Sequence, residues 1–239
     1  MTGTILFFLL FWLVLALSIP FLLVFWLLRL TGLKKAEKKF VYLTTSNWAK
    51  FVLFTAGIRL RISGKENIPP DLRRVVLVSN HQGNFDIPVY IACLPFSAGF
   101  IAKKELMSVP FISSWMRALD CLPIDRTNPR KSREMLVSRI GQDKLNPVFL
   151  FPEGTRSRGP QMGAFRTGTL KMICHNGAEI LPVTIDGSYR CYEERNNIRG
   201  GKVNVIFHPV MEAKEGEGSG FDCFNRELQA VIASPLLKN

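Results

Sequence analysis

Histidine is scarce: His81, His175 and His208 are the three in 239 residues. A metal hydrolase centre draws on several histidines at defined ligand spacing. No such spacing is present, so no metal and no cofactor is expected. The five cysteines, Cys93, Cys121, Cys174, Cys191 and Cys223, are scattered and odd in number, and none forms a C-x-x-C pair. That argues against a disulfide framework and against a cysteine zinc site. It leaves thiols suited to a reducing compartment. A G-x-S-x-G elbow is missing too, and with it the serine nucleophile of the α/β-hydrolases. Acidic residues are few, 19 against 31 basic, for a formal net charge of +12. This balance favours an anionic partner: lipid head groups or a phosphorylated substrate. Nucleic acid is set aside, because no basic stretch is interleaved with aromatics and no nucleic-acid motif is visible. No internal repeat occurs.

Charge is also absent from Met1 to Leu28, where Leu, Phe, Val, Ile and Trp dominate. About 20 such residues are needed to span a bilayer, so the length suffices. Ser18 and Pro20 permit a kink. A signal peptide would carry its positive charge before the apolar run. Here Arg29, Lys34, Lys35, Lys38 and Lys39 follow it, which assigns the rest of the chain to the cytoplasmic side of the cell's inner membrane. Spanning competes with a second arrangement. Phe40–Leu43 and Trp48–Phe54 form another partly apolar stretch behind the lysine cluster. It could lie on the bilayer with lysines at anionic head groups and Trp48, Phe51 and Phe54 dipping below them. The bland alternative is that this stretch packs on a soluble domain.

Beyond it the chain alternates strands and helices. Strands are expected at Ile58–Ser63, Val75–Val78, Gly99–Ala102, Cys121–Ile124, Val148–Phe151, Ile180–Ile185 and Lys202–His208. Helices are expected at Pro88–Leu94, Val109–Leu119, Arg130–Leu145, Gly168–His175 and Phe221–Ile232, with Glu212–Gly220 a polar connection. The alternation predicts an α/β fold: a mostly parallel central sheet covered by helices, with an N-terminal membrane-embedded helix pair. The domain division expected is 1–58 for the membrane-associated helices and 59–239 for the α/β domain.

Chemistry concentrates where buried-looking strands end. Val75–Val78 runs into Ser79-Asn80-His81-Gln82-Gly83-Asn84-Phe85-Asp86. Parallel sheets carry their chemistry at the strands' C-terminal ends, and an imidazole takes a proton near neutral pH. Asp86 stands just before Ile87-Pro88, where a helix can begin. The loop can fold back so that its carboxylate binds one ring nitrogen and leaves the other as a base. Two further strand ends carry Asp125/Arg126 and Glu153–Arg156. A lone His–Asp pair is more often structural. Glu153 with Arg156 could equally be a surface ion pair. His81, Asp86 and Glu153 are also of the right type to ligate an ion.

His81-x-x-x-x-Asp86 resembles the H-x-x-x-x-D signature of the glycerolipid acyltransferases, and Phe151-Pro152-Glu153-Gly154-Thr155-Arg156-Ser157 resembles their second hallmark. Leu122–Arg126 and Ile180–Val183 are similar to weaker blocks in the same order. The resemblance is strongest to the bacterial 1-acyl-glycerol-3-phosphate acyltransferases and covers roughly Leu60 to Val210. Gly83 departs from it, since many members carry a serine or other polar side chain there. The resemblance implies acyl transfer from acyl-CoA or acyl-acyl carrier protein to the sn-2 hydroxyl of lysophosphatidate, at a membrane. Bacterial members with a helix pair embedded in one leaflet lean the reading toward that arrangement.

On this reading His81 is the base and Asp86 its orienting partner. Arg156 and Arg126 bind the acceptor phosphate, since a guanidinium fork matches phosphate oxygens, and Lys103 or Lys104 adds a point charge. Glu153 and Thr155 make acceptor contacts and shape the loop. Backbone N–H groups around Glu153 and Gly154 are expected to serve the oxyanion. A thioester is already activated, so no acyl-enzyme is needed. Two rivals remain: the same chemistry on another lysophospholipid or glycerol 3-phosphate, and a non-catalytic module that holds anionic lipid.

Overall fold

The computed structural model describes residues 2–125, 132, 134–135, 138, 146–212 and 219–238. The N-terminal apolar run is two helices, α1 (Thr2–Leu17) and α2 (Ile19–Leu30). They meet at Ser18, whose hydroxyl bonds back to the Leu15 carbonyl at 2.6 Å and accepts the Trp115 Nε1–H at 2.8 Å. The expected kink is therefore also an anchor point on the body of the protein. A single long helix, α3 (Lys34–Thr55), follows. It buries Val41, Thr45, Ser46, Ala49, Val52 and Leu53, a stripe at helical spacing.

Among the described residues, eight strands form one sheet: β1 (Ile58–Ser63), β2 (Val75–Ser79), β3 (Gly99–Lys103), β4 (Leu122–Ile124), β5 (Val148–Leu150), β6 (Glu179–Asp186), β7 (Gly201–Phe207) and β8 (Met211–Glu212). Their order is β1-β7-β6-β2-β5-β3-β4, with β8 beside β6. The pairs β6–β2, β2–β5, β5–β3 and β3–β4 are all parallel, and the reversal comes between β6 and β7. The sheet is thus mostly parallel, as expected. Its register sets Val76 beside both Val148 and Ile180.

The central strand shows why continuous apolar runs were needed. Val75 and Leu77 face one core, with Val89, Tyr90 and Cys93 of helix α4 (Asp86–Cys93) and Val52 and Leu53 of α3. Val76 and Val78 face the other, with Leu170, Ile173 and Cys174 of helix α6 (Thr167–His175) and Phe221, Phe224, Leu228 and Ile232 of helix α7 (Ser219–Ala233). Both faces of the sheet are covered, so no polar alternation survives in β2. The edge strand β1 keeps alternation, with Arg59 and Arg61 exposed.

Two local departures have clear causes. Helix α5 is shorter than the expected Val109–Leu119: it runs Ile112–Ala118. Pro110 offers no N–H, and Phe111 takes a left-handed φ of 62°, so the regular turn starts only after them. The α3 stretch does not dip Trp48 outward. That ring packs on Phe11 of α1 with centroids 5.6 Å apart, because Trp48 lies on the side of α3 turned toward the body. Phe51 and Phe54 do remain exposed. Most of the Arg130–Leu145 helix, much of the Glu212–Gly220 connection, and Arg126 lie outside the described residues.

Candidate active site

Because β2, β5, β3 and β4 are parallel to one another and to β6, their C-terminal ends share one edge of the sheet. The loop after β2 is fixed first by its own neighbours. Asn80 extends the sheet with its side chain, donating Nδ2–H to the Ile185 carbonyl and accepting the Ile185 N–H, each at 2.9 Å. Gln82 accepts the Gly187 N–H at 2.9 Å. Asp86, fully buried at the start of α4, places Oδ2 2.6 Å from His81 Nδ1. The same oxygen accepts the N–H groups of Gln82 at 2.7 Å and Gly83 at 3.0 Å. Its other oxygen accepts the Ser188 hydroxyl. A carboxylate at a helix start is also favoured by the helix dipole. With Nδ1 donating to Asp86, the His81 lone pair is on Nε2, which has no partner among the described residues, and the side chain is partly exposed.

The loop after β5 lies directly against this one. Phe151 stacks on the His81 ring, with centroids 4.3 Å apart and planes 22° from parallel. Ser157 N–H donates to the His81 carbonyl at 2.8 Å and Arg158 N–H to the Gln82 carbonyl at 3.1 Å. Arg156 Nη1 bonds the Asn84 side-chain oxygen and lies 3.5 Å from Glu193 Oε1. The Arg156 guanidinium is therefore tied to the same loop that carries His81, three residues further along it. A base and a positive charge carried on one loop suit the deprotonation of a hydroxyl on a molecule held by its phosphate.

Glu153 shapes the loops, as expected of it, through their backbone. It is buried, and its two oxygens accept the His81 N–H at 2.6 Å and the Gly163 N–H at 2.7 Å. It makes neither an ion pair with Arg156 nor a ligand set with the His81 ring. Burial pushes its carboxyl up from the ordinary range, while the two N–H bonds pull it back. Gly154 takes a φ of +67°, which a side chain would strain. Its N–H donates to the Phe151 carbonyl at 3.0 Å and closes the turn. Thr155 is exposed at the turn. Lys104 Nζ bonds Asp125 Oδ2 at 2.7 Å, while Lys103 is exposed at the end of β3. Among the described residues no three metal-ligating side chains are grouped to hold an ion.

Three contributors escaped the sequence reading: Gln82, Ser188 and Glu193. Ser188 had a signal. The buried run of β6 ends in Asp186-Gly187-Ser188, the same apolar-strand-to-polar-turn pattern that drew attention to His81. Glu193 had none, since it reaches the site only through the turn after β6. The outlying histidines are elsewhere: His175 closes α6, and His208 Nε2 meets the Thr184 hydroxyl at 2.8 Å.

The chain is similar to several known proteins. The chain is 29% identical over 203 residues to the chloroplastic 1-acyl-sn-glycerol-3-phosphate acyltransferase LPAT1 of Arabidopsis thaliana, covering 84% of this chain and 55% of that one. It thus spans about half the length of that plant relative. A 1-acyl-sn-glycerol-3-phosphate acyltransferase of Pseudomonas aeruginosa is 30% identical over 197 residues, covering 77% of this chain and 71% of the relative. The crystal structure of the 1-acyl-sn-glycerophosphate acyltransferase PlsC from Thermotoga maritima superposes with a TM-score of 0.80 at 26% identity, covering 98% of this chain and 95% of that one. The Acyltransferase family profile matches residues 59–186, from β1 through the end of β6 and so across both site loops, and the chain belongs to that family.

Proposed function

We propose that this protein is a membrane-bound acyltransferase that moves a fatty acyl group from acyl-CoA or acyl-acyl carrier protein to the sn-2 hydroxyl of lysophosphatidate, giving phosphatidate. One observation carries the reading: His81 is locked to Asp86 at 2.6 Å, with Arg156 tied into the same loop. His81 Nε2 takes the hydroxyl proton as the oxygen attacks the thioester carbonyl. Asp86 stabilises the imidazolium without taking the proton. When the tetrahedral intermediate collapses the C–S bond breaks, and the imidazolium returns its proton to the departing thiolate. Arg156 holds the acceptor phosphate through charge-assisted hydrogen bonds. General-base help of this kind contributes about 10²–10⁴-fold.

The substrate's acyl chain explains the apolar helices. Gly3–Leu30 is long and apolar enough to cross a membrane, and Leu6, Leu9, Leu13, Leu17, Leu23 and Leu27 are exposed along it. Yet α1 is held to the body. Phe7 packs on Phe85 at 5.9 Å, and Thr4 Oγ1 accepts the Ile198 N–H at 3.0 Å. With Ser18 bound to Trp115 as well, the helices lie along the domain, which fits insertion into one leaflet of the inner membrane better than a crossing. Such insertion puts the His81 opening at the cytoplasmic bilayer surface, where a lysolipid resides.

A thiol-release assay on purified protein in detergent, with a panel of acyl donors and lysophosphatidate, tests the activity. Competition with glycerol 3-phosphate and other lysophospholipids tests the acceptor. Thiol release that depends on lysophosphatidate supports the reading. A protein that binds anionic lipid but releases no thiol with any donor defeats it.

A further inference from the structure

The N–H groups of His81, Gln82, Gly83 and Asn84 are all taken by carboxylates. Glu153 takes the first, Asp86 the next two, and Glu193 the last, at 2.6 Å. The Glu193 side chain is only 4% exposed, and its Oε1 also faces Arg156 at 3.5 Å. Its second oxygen is buried and has no partner among the described residues. What admits this carboxylate is the missing side chain at Gly83: a Cβ there would lie 2.5 Å from Glu193 Oε2 and 2.9 Å from Cδ. Glu193 enters the space that a residue at 83 would otherwise fill.

We propose that Gly83 and Glu193 are a matched pair, and that Glu193 is a positioning residue of the acceptor site, holding the Asn84 end of the histidine loop and the Arg156 guanidinium in one place. This rests on the acceptor-site reading proposed above. Glu193 touches neither His81 nor Asp86, so its loss falls on acceptor binding more than on the proton-transfer step. The atom that a Cβ at 83 would meet is the far end of a flexible side chain, so Gly83→Ala displaces the carboxylate instead of breaking the loop. The two positions therefore act through one contact, and their effects do not add.

The test is a double-variant cycle on the full-length protein in detergent, reading kcat, KM for lysophosphatidate and melting temperature. Gly83→Ala and Glu193→Ala are each expected to raise the acceptor KM by about tenfold, with a smaller change in kcat. The double variant should be no worse than the poorer single one. Glu193→Gln keeps an acceptor for the Asn84 N–H and should recover part of the loss. Multiplying effects in the double variant, an unchanged KM in Glu193→Ala, or no recovery by Glu193→Gln in a folded protein would each overturn the pairing. A folding failure of Gly83→Ala would show as a lowered melting temperature, and the Glu193→Ala and Glu193→Gln comparison then decides alone. Wild-type protein inactive on lysophosphatidate would instead count against the activity itself.

Discussion

Glu153 Oε1 accepts the backbone N–H of His81 at 2.6 Å, so the acid of one sequence hallmark grips the histidine of the other by its main chain. The His81 carbonyl is held in turn by Ser157 N–H. The two hallmarks are one folded unit, and the imidazole is aimed by the loop after β5 as much as by Asp86. Replacing Glu153 by Ala leaves two N–H groups without their acceptor, at about 1–3 kcal/mol for each group left buried and unpaired. Melting temperature and kcat are expected to fall together. A Glu153→Ala protein that melts normally and loses only acceptor affinity would return this residue to a substrate-contact role.

Asp86→Asn keeps the shape beside Nδ1 but removes the charge that, on the proposed mechanism, stabilises the imidazolium. Turnover is expected to drop by about 10²–10⁴-fold. Acceptor binding, measured separately by calorimetry, should change little. Equal loss of turnover and binding would mean that the loop had come apart.

Arg156→Ala should cost about 1.5–3 kcal/mol of transition-state stabilisation for each charged hydrogen bond lost with phosphate-bearing acceptors. The check is kcat/KM for lysophosphatidate against an acyl glycerol lacking the phosphate. The ratio should move toward one, and an unchanged ratio removes Arg156 from the phosphate site.

Burial holds His208 below the ordinary histidine pKa. The unfolded chain binds its proton more readily near pH 6.5, so the native state is favoured by deprotonation. The stability this contributes is present above about pH 6.5 and is lost as pH falls toward the lowered native value. Melting temperature measured from pH 5 to 8 should rise across that window, and His208→Gln should flatten this component. A rise that persists unchanged in His208→Gln assigns it to other groups.

Leu9 and Leu13 are exposed on α1. Changing both to Glu should leave the fold of the α/β domain intact and abolish flotation with anionic vesicles, since burying these side chains in lipid would now require burying two charges. Undiminished flotation would shift the membrane contact to α3 and its lysines.

Much of this was legible from residue order. The β2, β5 and β6 runs read as strands because each is apolar on both faces, and His81, Glu153 and Arg156 stood out because charge follows such runs abruptly. The N-terminal apolar run was equally plain. What escaped has a common physical form. Gln82, Ser188 and Glu193 act through contacts spanning about a hundred positions of chain, and no local pattern encodes which loop a strand order brings alongside another. The same holds for Glu153, which the family resemblance pointed toward the acceptor and whose carboxylate is buried against the backbone. Gly83 stood out only as a departure from the family pattern, and residue order does not show that the Glu193 carboxylate lies against it.

The central claim is that His81 takes the acceptor's proton in a preassembled pair with Asp86. It is tested most directly by acyl-thioester turnover with lysophosphatidate in wild-type protein and in His81→Ala, alongside lysophosphatidate affinity for both. The account predicts a fall in turnover of about 10²–10⁴-fold with affinity preserved. Turnover in His81→Ala within a few fold of wild type would contradict it.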